Sequence, residues 1–358
     1  MKTPVQIFTV TAAEAGQKLL QYLVRRLDGA LPPAALQRLI RTGQVRLDGK
    51  RAKPFDRVAE GQKVRMPPFE TDAMPAVAPG GAAAPSPAPH IAAVPRPARK
   101  QAQPPAPASR AVPGPTAAAD ISGLDILYED DELLVVVKPA GLPVHPGSGH
   151  ATALTTLLHA RDPGAPFRPT PAHRLDRDTT GILLVAKSYR MLRRIHDAML
   201  SGEARKDYLA WVRGQWRFTE VNDWITLRDR LAKRGDPGRE RVEAGEDGKE
   251  AVCKVRLLGR TAAASLLEVR LETGRTQQIR AQLAARGHPI VGDPKYGGGA
   301  PPMRLHAWRV TLPDAAFCAP PDWEAPWLVK RLRRATRLAC AEQDVSPQES
   351  GPPPDAPE

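Results

Sequence analysis

A carboxylate set just ahead of a stiff apolar strand is well placed for catalysis, and this chain has one. Ala172-His173-Arg174-Leu175-Asp176-Arg177-Asp178-Thr179-Thr180-Gly181 is polar and ends in glycine, and Ile182-Leu183-Leu184-Val185-Ala186-Lys187 follows as a near-continuous apolar run of strand length. Such a run suits a strand buried on both faces, and a short acidic loop fixed to it holds a reactive group in place. Asp176 also suits a plainer task, closing a turn by accepting backbone N–H groups. Other chemistries find less support. Cys253, Cys318 and Cys340 lack paired spacing, which gives neither a zinc site nor a disulfide framework and suits a reducing cytosol. His145 and His150 have no carboxylate or cysteine cluster beside them and read as loop histidines rather than metal ligands. No dinucleotide loop or Walker loop is present.

The elements around that loop follow from periodicity. Residues 126–131 and 133–137 read as two strands joined by an acidic turn, the second ending in Lys138-Pro139-Ala140-Gly141. Ser188 caps a helix with Met191, Leu192, Ile195 and Met199 on one face, stopped by Gly202. A strand over 204–216 carries Tyr208 near its start, and 216–251 is charged and Gly-bearing, reading as loops and a hairpin. Strands at 251–258 and 265–271 lead into Thr273-Gly274-Arg275-Thr276-Gln277-Gln278-Ile279-Arg280, where Thr276 caps a helix running to Arg286 and ended by Gly287. The loop from Gly287 to Gly297, a closing strand over 304–310, a basic helix over 327–338 and a Pro-rich acidic tail complete the chain.

The first seventy residues read as a separate small unit. Leu19, Leu20, Leu23, Val24 and Leu27 recur at helical spacing, and Pro32-Pro33 opens a second helix over 34–41. Asp48-Gly49 signals a hairpin, with a further strand near 62–66. Through Thr71 there are thirteen basic and six acidic residues, a net of +7 out of +13 for the whole 358-residue chain. That concentration favours a phosphate-binding platform over an ordinary solvated face. Residues 73–119 are rich in Pro and Ala, contain no Asp or Glu, and read as a disordered tether, with Arg96, Arg99, Lys100 and Arg110 as transient phosphate contacts at most. The sequence pI of about 10.0 points to a polyanionic partner. No apolar run of signal-peptide or membrane-span length occurs, so a soluble cytoplasmic protein is expected.

The motif from His173 to Lys187 resembles the signature of the large-subunit rRNA pseudouridine synthases. The resemblance implies Asp176 as the catalytic residue, Tyr208 as the active-site tyrosine and Arg280 as its basic partner, with Arg275 the runner-up. Arg174 and Arg275 are the expected RNA contacts of the catalytic half. The family pattern has His where Gln277 stands, which puts any role of that His in doubt. Gln37 to Arg51 resembles the S4-like RNA-binding domain, implying RNA contacts at Arg38, Arg41 and Arg46. Lys206-Asp207-Tyr208-Leu209 to Gln215-Trp216, with the single N-terminal module, looks closest to the C-type branch.

The implied fold is α+β, a mixed, mainly antiparallel central sheet with flanking helices, plus a small N-terminal α/β unit. The expected boundaries are 1–71 for the S4-like domain, 72–120 for the linker, 121–342 for the catalytic domain and 343–358 for a disordered tail. The resemblance implies isomerisation of specific 23S rRNA uridines, on rRNA or its assembly intermediates; a monomer with no cofactor, no metal and no membrane partner is expected. The rival readings are a non-catalytic RNA-binding or ribosome-assembly factor and a pseudouridine synthase acting on tRNA. A methyltransferase would need a Gly-rich cofactor loop that this chain lacks.

Overall fold

The computed structural model describes residues 3–27, 30–69, 124–146, 152–235 and 241–329. The expected linker over 72–120, the tail over 343–358, His150 and Cys340 lie outside these residues.

The N-terminal unit contains β1 (Gln6–Thr9), α1 (Leu19–Arg26), α2 (Pro33–Arg41), β2 (Arg46–Leu47), β3 (Lys50–Arg51) and β4 (Lys63–Met66). Pro33 sits at the first helical position, where its missing N–H costs nothing. Asp48 and Gly49 both take positive φ, 48° and 76°, which is what a two-residue hairpin turn matched to strand twist requires. The sheet runs β1-β4-β2-β3. Leu19, Leu23, Leu36, Ile40, Val64 and Met66 bury the apolar faces of both helices and β4 in one core. Strand β1, which the periodicity of the chain does not reveal, pairs antiparallel with β4 from Gln6 opposite Met66 to Thr9 opposite Lys63.

The larger body contains β5 (Asp125–Glu129), β6 (Leu133–Lys138), α3 (Leu154–Arg161), β7 (Thr170–Pro171), β8 (Thr180–Ala186), α4 (Tyr189–Ser201), β9 (Arg205–Arg213), β10 (Trp224–Arg234), β11 (Arg241–Ala244), β12 (Lys249–Arg260), β13 (Ala264–Leu271), α5 (Gln278–Ala285), β14 (Leu305–Leu312) and β15 (Ala315–Cys318). The central sheet runs β11-β10-β12-β13-β9-β14-β8-β6-β5, with β15 on β14 and β7 on β8. Every pair is antiparallel except β14 with β8, so the sheet is mixed and mainly antiparallel, as expected.

Strand β8 is apolar throughout because it is covered on both faces. Leu183 and Val185 join the core that holds Tyr208, Ala210, Leu305 and Ala307. Ile182, Leu184 and Ala186 pack beneath Met191, Leu192 and Ile195 of α4. Burial of each such large aliphatic side chain contributes ~1.5–3 kcal/mol. Ser188 Oγ accepts the Met191 N–H (3.1 Å), and Gly202 ends α4 at φ 80°, so both expected caps are present.

Two local expectations are corrected. Thr276 does not cap α5; Gln277 precedes the helix in a left-handed conformation, φ 51°. The Gln278 side chain causes this, accepting from Thr273 Oγ1 (2.8 Å) and the Arg275 N–H (3.0 Å) and so bracing the turn before the helix. Residues 327–329 are not helical, and the rest of the expected terminal helix lies outside the described residues. Trp327 instead covers the sheet, its carbonyl accepting from Trp211 Nε1 (3.0 Å).

The two units touch. Tyr189 N–H donates to Ala13 O (2.9 Å), and its ring lies against Gly16, where an added Cβ would stand 3.5 Å from Cδ1.

One buried histidine ties the sheet to its covering segment. His306 Nε2 donates to Ala319 O (2.9 Å), which makes Nδ1 the acceptor of the Thr180 hydroxyl (2.7 Å). Burial pushes its pKa down to about 4. The unfolded chain takes up that proton near pH 6.5 and the folded chain does not, so stability falls as pH drops through this window. Between pH 7 and 5 the wild type should lose about 2 kcal/mol more than His306→Asn, read from urea unfolding midpoints.

Candidate active site

The parallel contact between β8 and β14 sets the geometry of the site. Thr180 and Gly181 pair with His306 and Ala307, and Ala307 in turn lies opposite Tyr208 on β9. The approach is close: a Cβ on Gly181 would stand 2.2 Å from Ala307 O, and Gly181 has φ 111°. Gly181→Ala should therefore destabilise the protein by about 2–4 kcal/mol through overpacking and backbone strain. A urea unfolding midpoint unchanged from wild type would contradict this.

The loop ahead of β8 carries Asp176, whose side chain is 19% exposed. Its Oδ2 accepts from Arg280 Nη1 at 3.0 Å. Arg280, on the first turn of α5, is itself held by a second carboxylate. Its Nε and Nη2 donate to Asp293 Oδ2 (2.7 Å) and Oδ1 (2.9 Å) in a bidentate pair. Asp293 is fully buried, and its Oδ1 also accepts from the N–H groups of Lys295 and Tyr296. Burial would lower the Arg280 pKa, but the hydrogen bond and charge of Asp293, then those of Asp176, outweigh it and raise the pKa. The guanidinium is a permanent cation with one fixed plane, and Asp176 takes the one arm that Asp293 leaves.

The loop is pinned from below by Lys138, the last residue of β6. Its ammonium is fully buried and donates to the carbonyls of Pro139 (2.7 Å), Leu142 (2.9 Å) and Arg177 (2.8 Å). Burial lowers its pKa to about 8, against the opposing charges of Asp178 and Asp176. Three carbonyls match the three donors of one ammonium, so the loop cannot shift without leaving a buried donor unpaired. Asp178 pairs with the exposed Arg177 (3.1 Å) and does not line the cavity.

Asp176 and Arg280 line a cavity of about 260 Å³ together with Arg174, Lys206, Tyr208 and Arg275. Tyr208 is 5% exposed, and burial first, then the charges of Asp176 and Asp207, push its pKa up. It therefore stays a phenol at any physiological pH. His173 is neutral, because burial pushes its pKa down to about 3, and its Nε2 accepts the Leu184 N–H (3.2 Å). Lys206 is a half-buried cation whose pKa burial lowers. Gly274 and Arg275 are shared with two flanking depressions. One is bordered by Arg205, Lys254 and Arg270, the other by Lys233 and Lys249, so a basic groove continues from both sides of the cavity.

The expected catalytic trio, Asp176, Tyr208 and Arg280, thus converges on one cavity, with Arg174 and Arg275 on its wall. Arg280, not Arg275, makes the ion pair with Asp176; Arg275 Nε donates to Glu250 O (2.8 Å). Gln277 turns toward Tyr296, whose hydroxyl lies 2.9 Å from Gln277 Oε1 and accepts the Val242 N–H (3.1 Å). It braces the outer wall against β11 rather than Asp176. Sequence reasoning misses Asp293, Lys138 and Lys206. The only signal for Asp293 is a lone Asp in a Gly/Pro loop after the helix, and for Lys138 a charge closing an apolar strand.

In the N-terminal unit Arg38, Arg41 and Arg46 are exposed. Arg46 lies opposite Arg51 on β3 and opposite Arg65 on β4, so three arginines stand abreast on one sheet face. Like charges in cross-strand register are destabilising. A surface that holds them together is suited to a polyanion.

A mixed sheet holding a carboxylate–guanidinium pair in a cation-bordered cavity is the layout of a domain built for a polyanionic substrate. Comparison with known proteins makes the class specific. Residues 132–285 match the family model described as RNA pseudouridylate synthase. The chain is 35% identical over 299 residues to ribosomal large subunit pseudouridine synthase C of Escherichia coli K12, covering 83% of this chain and 81% of that one. It is 34% identical over 347 residues to the protein of the same name from Haemophilus ducreyi, covering 92% and 96%. Among solved structures, human RNA pseudouridylate synthase domain containing 1 aligns with a TM-score of 0.49 at 24% identity, covering 68% of this chain and all of that one. The chain belongs to the RNA pseudouridylate synthase family, enzymes that isomerise uridine in RNA to pseudouridine.

Proposed function

We propose that this protein isomerises specific uridines of 23S rRNA, with Asp176 as the catalytic residue. The observation that carries the reading is the Asp176–Arg280 ion pair (3.0 Å) in a cation-bordered cavity of a chain from this family. The reaction breaks the bond from C1′ to uracil N1, turns the base, and forms a bond from C1′ to C5; the C5 hydrogen leaves as a proton and N1 gains one. Asp176 acts on the nucleoside, by attack or by assisting departure of the uracil, and both roles use a carboxylate anion. Arg280 is its positioning partner: a guanidinium fixed by Asp293 stabilises the carboxylate charge and aims it. Tyr208 packs against the uracil, and its phenol moves a proton as the base turns. The target nucleotide leaves its stack to reach these groups at a cost of a few kcal/mol, offset by phosphate contacts along the groove at Arg174, Arg275 and Lys206.

Large-subunit rRNA is favoured as substrate by the names of the Escherichia coli and Haemophilus ducreyi relatives. Residues 1–71 serve as an S4-like RNA-binding module, with Arg38, Arg41 and Arg46 on phosphates, joined by the 72–120 segment to a catalytic domain over 121–342. The Asp176 cavity is complete within one chain, which supports a monomer. Among the described residues no helix is long and apolar enough to cross a membrane. The proposed compartment is the cytoplasm, where rRNA is assembled into ribosomes.

Carbodiimide mapping of pseudouridine in large-subunit rRNA from wild-type, deletion and complemented cells tests this reading. Discrete sites should vanish on deletion and return with the wild-type gene. If no rRNA site depended on the gene, loss of a tRNA pseudouridine would shift the substrate, and loss of none would leave a non-catalytic RNA-binding factor.

A further inference from the structure

The seam between the two units contains a second polar cavity, of about 270 Å³, away from Asp176. It is lined on one side by Glu14, Gln17, Tyr22, Arg25 and Arg26 and on the other by the 163–168 loop. Two of its groups are out of place in a merely structural seam. Tyr22 is 1% exposed, and its hydroxyl has no hydrogen-bond partner among the described residues. Arg25 is a half-buried cation whose guanidinium donates to the neutral Gln17 Oε1 (2.9 Å) and lies over the rings of Phe167 (5.0 Å) and Tyr189 (5.8 Å). Among the described residues no carboxylate pairs with it.

A buried donor without an acceptor and a desolvated cation without a counter-charge are each costly. Here both line one cavity, and both are satisfied by the same group, an anion with several acceptor oxygens. The acid in the cavity does not compete. Glu14 already accepts from the Thr11 N–H (3.0 Å), the Thr11 hydroxyl (2.9 Å) and Arg26 Nη1 (3.1 Å). Burial, then the charge of Glu14, pushes the Tyr22 pKa up to about 12, so its hydroxyl remains a donor at physiological pH.

We infer that the seam binds a backbone phosphate of the substrate RNA, clamped between Tyr22 and Arg25 of the N-terminal unit and the 163–168 loop of the catalytic body. The Tyr22 O–H donates to one phosphate oxygen and the Arg25 guanidinium to another. Arg168 enters β7 and then the Asp176 loop within eight residues, so a strand held at the seam is held against the segment that carries the carboxylate. The N-terminal unit then serves as a fixed ledge for the RNA rather than a freely tethered hook. This inference rests on the reading of the protein as an rRNA-directed enzyme.

The test uses full-length protein and an unmodified large-subunit rRNA transcript, with affinity measured over a range of salt. Tyr22→Phe keeps the ring and removes only the donor, and should weaken RNA binding about tenfold, the value of a hydrogen bond to a charged group. Arg25→Gln should weaken binding at least as much and reduce the slope of log K against log salt by about 0.7. Affinities of both variants within twofold of wild type, with the slope unchanged, would mean a water-filled structural cavity and overturn the inference. Inorganic phosphate that raises the melting temperature of wild type but not of Tyr22→Phe, with RNA affinity unaffected by either substitution, would mean a free-anion site and overturn it too. A wild-type protein that bound no rRNA transcript would instead sink the underlying functional reading.

Discussion

Asp176→Asn should bind rRNA like the wild type and lose at least about a thousandfold in single-turnover rate, ~4 kcal/mol of barrier. The substitution is nearly isosteric, and the amide oxygen can still accept from Arg280 Nη1, as Oδ2 does at 3.0 Å. The loop should stay in place, because Lys138 holds it through the Arg177 carbonyl and Asp293 holds Arg280 without help from Asp176. Only the anion is lost. A neutral amide neither attacks a nucleoside nor assists the departing base, which is why the effect falls on turnover rather than on affinity. A rate within tenfold of wild type would remove Asp176 from the chemistry.

Arg280→Met carries the second large effect, and it strikes stability as well as rate. Arg280 is 6% exposed and bridges a fully buried Asp293 and the half-buried Asp176. Removing it leaves the Asp293 carboxylate with only the Lys295 and Tyr296 N–H groups, an uncompensated charge in the interior. Breaking a buried pair in this way costs about 3–5 kcal/mol. Urea unfolding measures that loss. Arg280→Lys separates the two roles, because an ammonium keeps the positive charge but cannot make the bidentate pair and reach Asp176 in one plane. It should recover part of the stability while turnover stays at least about a hundredfold down, ~2.7 kcal/mol of barrier. If Arg280→Lys restored turnover fully, charge alone would explain the site and the fork geometry would not matter.

Much of this arrangement is legible in the amino-acid sequence wherever local chemistry decides it. The Asp48-Gly49 turn, the Ser188 cap, the Gly202 stop and the apolar β8 run all depend on neighbours a few residues away, and all are present. The convergence of Asp176, Tyr208 and Arg280 on one cavity is legible only through a resemblance between motifs, since nothing in their spacing says that they meet. What stays hidden depends on long-range packing. The parallel register of β8 with β14 joins residues more than a hundred apart and shows in the chain only as Gly181. Asp293 looks like any Asp beside a glycine, and Lys138 like the end of a strand, until tertiary contacts give each its partners. Thr276 is the better helix cap by propensity, but the Gln278 side chain braces the preceding turn and moves the start of α5. The seam is invisible for the same reason, because nothing local says that Tyr22 and Phe167 face one another across two units.

The most direct test follows from the bond that the reaction must break. Purified protein is incubated with a large-subunit rRNA transcript carrying tritium at uracil C5, and tritium release to water is counted beside pseudouridine mapping of the same RNA. Wild type should release tritium in proportion to a small set of mapped uridines, and Asp176→Asn none above background. Release that persists in Asp176→Asn, or tight binding by wild type with no release from rRNA or tRNA, would contradict the proposed function.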